Sequence, residues 1–494
     1  MADFIKRHSL WTDDEFRQAQ EVAGRVSAEG LRLIRLVWVD SHGQTRAKQV
    51  SASTFTEVLR NGYNINVATF TLDASGSRVF PSFVRGGGMN LDEMTGSPNL
   101  VIVPDPASFR VLPWSPDTGW ILCDEFFTDG RPFYFSNRRL LRDQVARLAG
   151  QGMSFKAGLE IEWYLHRLLE PGLQPEEIAD PGRRGSPPPS LPVDPGAAYH
   201  SETNIDRMQP MLIRLAEAWE GLGLQLRSVE NEFGAGQVEC TFTADSALRA
   251  ADDFILFRTA TRQVCRRHQH LASFMCWPAS PGAFPSGWHL HQSLISLDDG
   301  RNLMMPEASG EDLSATGLHW LAGLMEHAIE GTVFSTPSIT GYRRFRANSL
   351  APDRVCRGPD HRGVMLRTLG GPGDPGSRIE NRIGEPAANP YLFFASQIAA
   401  GLDGLAQGLT PPPPDTNPYE ADRPQLPTSL RDALTALDGS KLYRQQFGDR
   451  YIDYYISLKR SEADRFDQQA ETSDNPASPS GVTRWEQNEY FDFF

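Results

Sequence analysis

Four stretches of this chain alternate apolar and chemically active side chains with a period of two, and nothing else in the sequence limits the fold as much. On a β-strand, successive side chains point to opposite faces, so residues two apart are neighbours. From Phe155 to His166, Leu159, Ile161, Trp163 and Leu165 fall on one face, while Glu160 and Glu162 fall together on the other. Gln237, Glu239 and Thr241 oppose Val238, Cys240 and Phe242, with Glu232 just upstream. His289, His291 and Ser293 oppose Leu290 and Leu294, and Arg378, Glu380 and Arg382 oppose Ile379 and Ile383. One such segment reads as a solvent-exposed strand face. Four that share one sheet or barrel assemble five glutamates, two histidines and several arginines.

Neighbouring carboxylates repel one another unless a cation lies between them. An oxygen-rich, carboxylate-dominated set suits Mg²⁺ or Mn²⁺. Arginines beside it suit phosphate or carboxylate recognition through bidentate hydrogen bonds. Metal plus arginine is the equipment of phosphoryl transfer, where positioning and charge neutralisation do most of the catalysis. No Walker-type loop occurs, so ATP needs another scaffold. These residues describe a metal-dependent phosphoryl-transfer or ligase site.

The rest of the chain frames that site. Leu31 to Val39 followed by Asp40-Ser-His-Gly43 reads as a strand and hairpin, and Leu100 to Val103 as a second strand, which gives a small β-rich N-terminal unit. A helix is expected over Leu140 to Leu148, and another over Tyr391 to Leu405, capped by Asn389 with Pro390 at the first helical position. Proline-rich Glu170 to Asp206 and Thr410 to Leu426 are expected to be loops. With 62 acidic residues against 48 Lys plus Arg, the net charge of -14 argues against nucleic acid or an anionic membrane as partner. Five scattered cysteines, no signal peptide and no apolar run of about 18 residues point to a reduced, cytoplasmic protein.

The same residues carry a family resemblance. Gly158-Leu-Glu-Ile-Glu-Trp163, Glu232-Phe-Gly-Ala-Gly-Gln-Val-Glu239, Ser286-Gly-Trp-His-Leu-His-Gln-Ser-Leu294, Tyr342-Arg-Arg344 and Arg378-Ile-Glu-Asn-Arg382 resemble, in order, the motif set of the glutamine synthetase superfamily. Val37-Trp-Val-Asp-Ser-His-Gly43 and Leu112-Pro-Trp114 resemble its N-terminal domain. The resemblance implies an α+β fold: an N-terminal β-grasp domain (residues 1–130) and a catalytic domain (131–494) with a curved antiparallel sheet, or half-barrel, and flanking helices. It implies ATP as phosphoryl donor and two to three Mg²⁺ or Mn²⁺ ions. Glu162, Glu232 and Glu239 would hold one ion, and Glu160, His289 and Glu380 another. His291, Ser293 and Arg378 would contact the nucleotide, Arg344 and Arg382 the carboxylates of L-glutamate, and Arg362 and Arg367 the transferred phosphoryl group. Asp73, in Thr71-Leu-Asp-Ala-Ser75, is matched to the aspartate that a neighbouring subunit lends to the amine site. The family assembles as homo-oligomers, commonly a dodecamer of two hexameric rings.

The resemblance also has gaps. A glutamate on a mobile flap, six residues after the arginine of the Tyr-Lys-Arg segment, helps ammonium-using members bind that cation. Here the position falls on Leu350. His361, Arg357, Trp277 and Phe284-Pro285 depart nearby, the last pair replacing an Asn-Gly that helps hold the substrate amino group. An apolar residue in place of a carboxylate weakens cation binding and makes room for an apolar body. The amine is therefore expected to be organic and hydrophobic, an arylamine such as aniline. The alternatives are an alkylamine or polyamine ligase, an ammonia-using glutamine synthetase whose flap acid is another residue such as Asp353, and a catalytically silent structural relative. Tyr419 stands where some members carry a regulatory nucleotidylation tyrosine and is expected to be an ordinary loop residue.

Overall fold

The computed structural model describes residues 3–170, 172–470, 477–478 and 481–494. Its first sheet contains β1 (Leu33–Val39), β2 (Thr45–Ser51), β3 (Tyr63–Asn66), β4 (Asn99–Pro104), β5 (Arg110–Leu112) and β6 (Ser115–Phe127). The strand order is β2-β1-β6-β4-β3, with β5 paired to β6. β1 and β2 form the expected hairpin, in which Asp40 Oδ1 accepts from the N–H groups of His42 and Gln44 at 3.0 Å each. Gly43 completes the turn at φ 75°. A Cβ there would lie 2.9 Å from Arg258 Nη2 and 3.1 Å from Asn389 Cα, so glycine is required for space as well as for backbone angle. β1 runs parallel to β6, and helix Ala52–Asn61 lays Phe55, Val58 and Leu59 against the sheet, in agreement with a β-grasp unit.

The second sheet contains β7 (Met153–Leu168), β8 (Ser190–Pro192), β9 (Leu226–Asn231), β10 (Gln237–Phe242), β11 (Asp245–Ser246), β12 (His270–Ser273), β13 (Trp288–Ser296), β14 (Arg357–Pro359), β15 (Leu366–Leu369) and β16 (Arg378–Gly384). Its order is β14-β15-β16-β13-β7-β10-β9, and β8, β11 and β12 also pair with β7. Successive stretches of one long strand serve five partners, so the sheet curls about β7 into a half-barrel. All pairs are antiparallel except β14 with β15, which run parallel.

The alternation read from the sequence decides which face is inside. Leu159, Ile161, Trp163, Leu165, Val238, Cys240, Leu290, Leu294, Ile379 and Ile383 are all buried. They face helices Ala247–Arg267 and Pro390–Gln407: Phe254 stacks on Trp288 at 4.1 Å, and Phe393 meets Trp288 edge-on at 5.3 Å. In the second helix Asn389 Oδ1 accepts from Tyr391 N–H at 3.1 Å, as the capping pattern predicts. The helix expected over Leu140 to Leu148 runs Asn137–Ala149.

The loop expected to reach Asp206 ends earlier. Its last proline is Pro195, and Ser201 caps helix Glu202–Gly221 by accepting from Asn204 N–H at 3.2 Å. Thr410 to Leu426 holds only a single 3₁₀ turn, Pro418–Glu420. The five cysteines are free and buried, and among the described residues no helix is long and apolar enough to cross a membrane.

Candidate active site

Strand register brings the polar faces into one cluster. β7 and β13 set Glu160 opposite His289; β7 and β10 set Glu162 opposite Glu239; β13 and β16 set His291 opposite Glu380; β15 and β16 set Arg367 opposite Glu380. Paired residues on a sheet face lie about 5 Å apart at Cβ, within side-chain reach.

Glu160 is the hub. His289 Nδ1 lies 2.6 Å from its Oε1 and His291 Nε2 3.0 Å from its Oε2. Arg378 Nε donates to His291 Nδ1 at 3.0 Å, which leaves the proton on Nε2 to face Glu160. Burial opposes ionisation of Glu160, but His289 and His291, in contact with its two oxygens, overturn that and hold the carboxyl well below its ordinary range. Glu380 is fully buried and ionised, gripped by Arg367 Nη1 at 2.8 Å and by Arg382.

The remaining carboxylates behave oppositely. Burial and mutual repulsion push Glu162, Glu232 and Glu239 upward, Glu239 to about 10. These acids are crowded together without enough positive charge, which is what a carboxylate set built around a cation looks like when considered alone. Ligand atoms of Glu160, Glu239 and His289 lie within 4.8 Å of one another, as do those of Glu160, His291 and Glu380. Four or five carboxylates with one or two imidazoles fit Mg²⁺ or Mn²⁺. Glu160 is common to both sets, and His291, which the resemblance places at the nucleotide, also stands beside the acids.

Two clefts meet at Glu160. One, of about 270 Å³, is lined by Glu160, Glu162, Glu232, Glu239 and His289, and by Arg344, Leu350, Arg362, Arg367 and Arg382. The other, of about 510 Å³, has His291, Ser293 and Arg378 beside Glu160, with Lys156 and Arg227 adding positive charge. Arg344 is buried, and its guanidinium donates to the carbonyls of Arg382, Ile383 and Gly384. Three of its five N–H groups are thus used to hold it. Arg382 Nε is buried and has no partner, a donor aimed at nothing the chain itself supplies.

Leu350 sits at the cleft rim, 49% exposed, with φ 61°. Asp353 Oδ1 and Oδ2 accept from Arg354 Nε and Nη2 at 2.8 and 3.1 Å, and Asp353 does not line the cleft. Tyr419 is more than a loop residue: its hydroxyl donates to Ala351 O at 3.0 Å, tying the 410–426 loop to the segment that carries Leu350. Trp277 meets Arg346 as a cation–π pair at 5.0 Å, and Arg357 is bound to Asp312 at 2.8 Å, outside both clefts.

Asp73, which the resemblance matches to an aspartate lent to a neighbouring subunit, is buried in its own chain. Arg465 Nε donates to its Oδ2 at 2.8 Å, and Ser75 and Ser77 donate to its Oδ1. Burial works to raise this carboxyl, and Arg465 with the local donors reverses that and holds it below its ordinary value.

The cleft also holds Thr241, which the strand pattern marks, and residues that the four segments do not include: Tyr199, His200, Glu230 and Phe233. Glu230 is two residues before Glu232, so the alternation that finds its neighbour extends to it. Tyr199 comes from a proline-rich loop without periodicity, and no local signal identifies it. Gln237 donates to Glu162 Oε2 at 2.8 Å and to Ser286 Oγ at 3.0 Å, so it orients a carboxylate of the cluster.

Residues 135–475 match the family profile "Glutamine synthetase, catalytic domain". The chain is 40% identical to gamma-glutamylanilide synthase of an Acinetobacter species over 494 residues, covering 99% of this chain and 98% of that protein. It is 31% identical to gamma-glutamylethanolamide synthetase GlnA4 of Streptomyces coelicolor, covering 96% and 95%. Among solved structures, apo GmaS without ligand superposes with a TM-score of 0.75 at 28% identity, covering 91% of this chain and 96% of that one.

Proposed function

The chain belongs to the glutamine synthetase family, and from that membership we propose that it joins the γ-carboxylate of L-glutamate to a hydrophobic organic amine, an arylamine such as aniline, at the expense of ATP. Ligases of this family use ATP and divalent metal ions, and the γ-glutamyl amide ligases among them are enzymes that form amides. The finer reading, of which amine, rests on one observation: the rim position expected to hold an acid carries Leu350, and the nearest alternative, Asp353, is committed to Arg354. A cleft mouth without that acid favours an amine that arrives neutral, and arylamines are mostly neutral near pH 7.

In this reading an oxygen of the glutamate γ-carboxylate attacks the terminal phosphorus of ATP, and ADP leaves with the bridging oxygen. The amine nitrogen then attacks the carbonyl carbon of the γ-glutamyl phosphate, the C–O bond to phosphate breaks, and the nitrogen loses a proton to released phosphate or water. Arg344 and Arg382 hold the glutamate carboxylates, and Arg362 and Arg367 face the transferred phosphoryl group. His291, Ser293 and Arg378 contact the nucleotide from the larger cleft. Glu160, Glu162, Glu232, Glu239, His289 and Glu380 would hold the divalent ions, which supply charge neutralisation between two anionic reactants. Assembly into two stacked hexameric rings in the cytoplasm belongs to the same reading, and light scattering would test it against a particle twelve times the 54.9 kDa chain mass.

The deciding experiment measures phosphate release from ATP and L-glutamate with Mg²⁺ against ammonium, ethylamine, isopropylamine, putrescine and aniline in parallel. Preference for aniline, with the γ-glutamyl anilide seen by mass spectrometry, supports the proposal. Preference for ammonium refutes it.

A further inference from the structure

The small cleft has an apolar side. Tyr199, Phe233 and Phe284 line it together with Leu350, on the same cavity as Glu232, Glu239 and Arg344. The Tyr199 and Phe233 rings stack at 4.5 Å and 6° between planes, and Phe233 meets Phe284 at 5.5 Å and 40°. Yet Tyr199 remains 49% exposed and Phe233 38%. Large aromatics left this open in a concave site mark a surface built to be covered, since their burial is worth more than that of most side chains.

The wall is constructed with care for its position. Tyr199 lies in the loop before helix Glu202–Gly221, Phe233 in the turn between β9 and β10, and Phe284 before β13. These loops are tied together through their backbones: Ala197 N–H donates to Phe233 O at 3.0 Å, His200 N–H to Asn231 O at 3.1 Å, and Ala235 N–H to Gly282 O at 3.0 Å. Asp194 accepts from Gly196 N–H and Gly236 N–H at 2.7 Å each. Gly196 approaches so closely that a Cβ would lie 2.5 Å from Ala235 N. Gln237 accepts from Gly234 N–H at 2.8 Å and donates to Glu162, so the turn carrying Phe233 is held in register with the carboxylate cluster. Rings fixed this way relative to the reacting groups set the orientation of whatever they touch.

Resting on the arylamine reading above, we propose that Tyr199, Phe233 and Phe284 form the ring-binding wall that selects a single-ring primary arylamine, with Leu350 lining the same cleft. The occupant follows from position. Glu232 and Glu239 line the same cleft as Phe233, so a ring on the wall shares its cavity with the acid cluster. The nucleotide is accommodated in the other cleft, beyond Glu160.

The test compares the wild-type enzyme with Tyr199→Ala, Phe233→Leu and the ring-keeping controls Tyr199→Phe and Phe233→Tyr. KM and kcat are measured for aniline and for ethylamine, along with KM for ATP and glutamate and the thermal midpoint. Removing either ring is expected to raise the aniline KM about tenfold, the size of a lost ring contact plus its buried area, and to lower the aniline-to-ethylamine ratio of kcat/KM by a similar factor. The controls keep the aniline KM within about threefold. An aniline KM unmoved in both truncations overturns the wall, as does an equal loss for ethylamine, or a loss in the ring-keeping controls. A wild-type enzyme that turns over ethylamine or ammonium but no arylamine overturns the substrate reading itself, and the wall with it. That result is seen before any variant is compared.

Discussion

Arg138, at the start of helix Asn137–Ala149, is a buried cation shared by three carboxylates from different parts of the chain. Its Nη2 lies 2.5 Å from Asp105 and 2.8 Å from Asp252, and its Nη1 2.9 Å from Asp124. Asp105 follows β4 and Asp124 belongs to β6, whereas Asp252 lies in helix Ala247–Arg267, so one guanidinium binds the first sheet to the helices behind the second. Replacing it, Arg138→Met, leaves buried carboxylates facing one another, and breaking a buried pair in this way costs about 3–5 kcal/mol. Arg142, 2.7 Å from Asp124, still covers one of them, so the lower end applies. Unfolding entropy of about 2.1 cal/mol/K per residue over a chain of this length gives about 1 kcal/mol/K, hence a fall of about 3 °C in the thermal midpoint.

The dependence on pH has a definite sign. Burial works to raise the Asp124 carboxyl, and Arg142 and Arg138 more than reverse it, holding it at about 2 against an ordinary 3.8. A depressed carboxyl contributes stability above 3.8 and loses it as pH falls toward 2, a contribution of about 2 kcal/mol. Without Arg138 the carboxylates take up protons at higher pH, and so become neutral sooner. The gap between wild type and variant is therefore widest at pH 7 and narrows toward pH 4. Scanning calorimetry at a fixed rate from pH 7 to 4 measures this, with Asp252→Asn and the double variant completing a cycle. A fall under 1 °C at pH 7, a gap that does not narrow in acid, or single losses that simply add would refute the reasoning.

Leu350→Glu restores an acid at the cleft rim and is expected to raise kcat/KM for ammonium about tenfold relative to aniline; an unchanged ratio in the phosphate-release assay would remove Leu350 from the specificity argument. Asp73→Asn takes one partner from Arg465, which keeps Glu489 at 2.6 Å, so the thermal midpoint falls by about 1–3 °C while kcat with saturating amine stays within about twofold. A loss of about a hundredfold in kcat at unchanged midpoint would return Asp73 to the chemistry. Glu239→Gln relieves repulsion among Glu160, Glu162 and Glu232 and is expected to raise the midpoint of the metal-free protein. The same change shrinks the gain of about 3 °C that Mg²⁺ at about a hundred times its Kd confers on the wild type, and abolishes phosphate release. A midpoint that falls without metal would contradict the crowding seen at this site.

Much of the architecture could be read locally. A pleated strand places alternate residues on opposite faces whatever its neighbours do, so the buried faces of β7, β10, β13 and β16 follow from spacing alone, as does the cap at Asn389. The ordered motifs then identified the family. Where local reading failed, the cause was a partner distant in sequence. Nothing around Asp73 in sequence announces its partner, since Arg465 lies nearly four hundred residues away. The prolines of Glu170 to Asp206 read as one loop, and the capping geometry of Ser201 ends it earlier.

The sequence by itself determined which side chains share a face and therefore what chemistry the protein can assemble: acids, imidazoles and arginines on one side, a hydrocarbon core on the other. Only the tertiary structure decided which of them meet. Register sets Glu160 against His289 and Glu162 against Glu239; a slip of one residue would keep every local pattern and destroy the site. Tyr199, Phe233 and Phe284 become one surface because backbone hydrogen bonds close three separate loops upon each other. Such contacts depend on where the whole chain returns, and no spacing within any one segment records that.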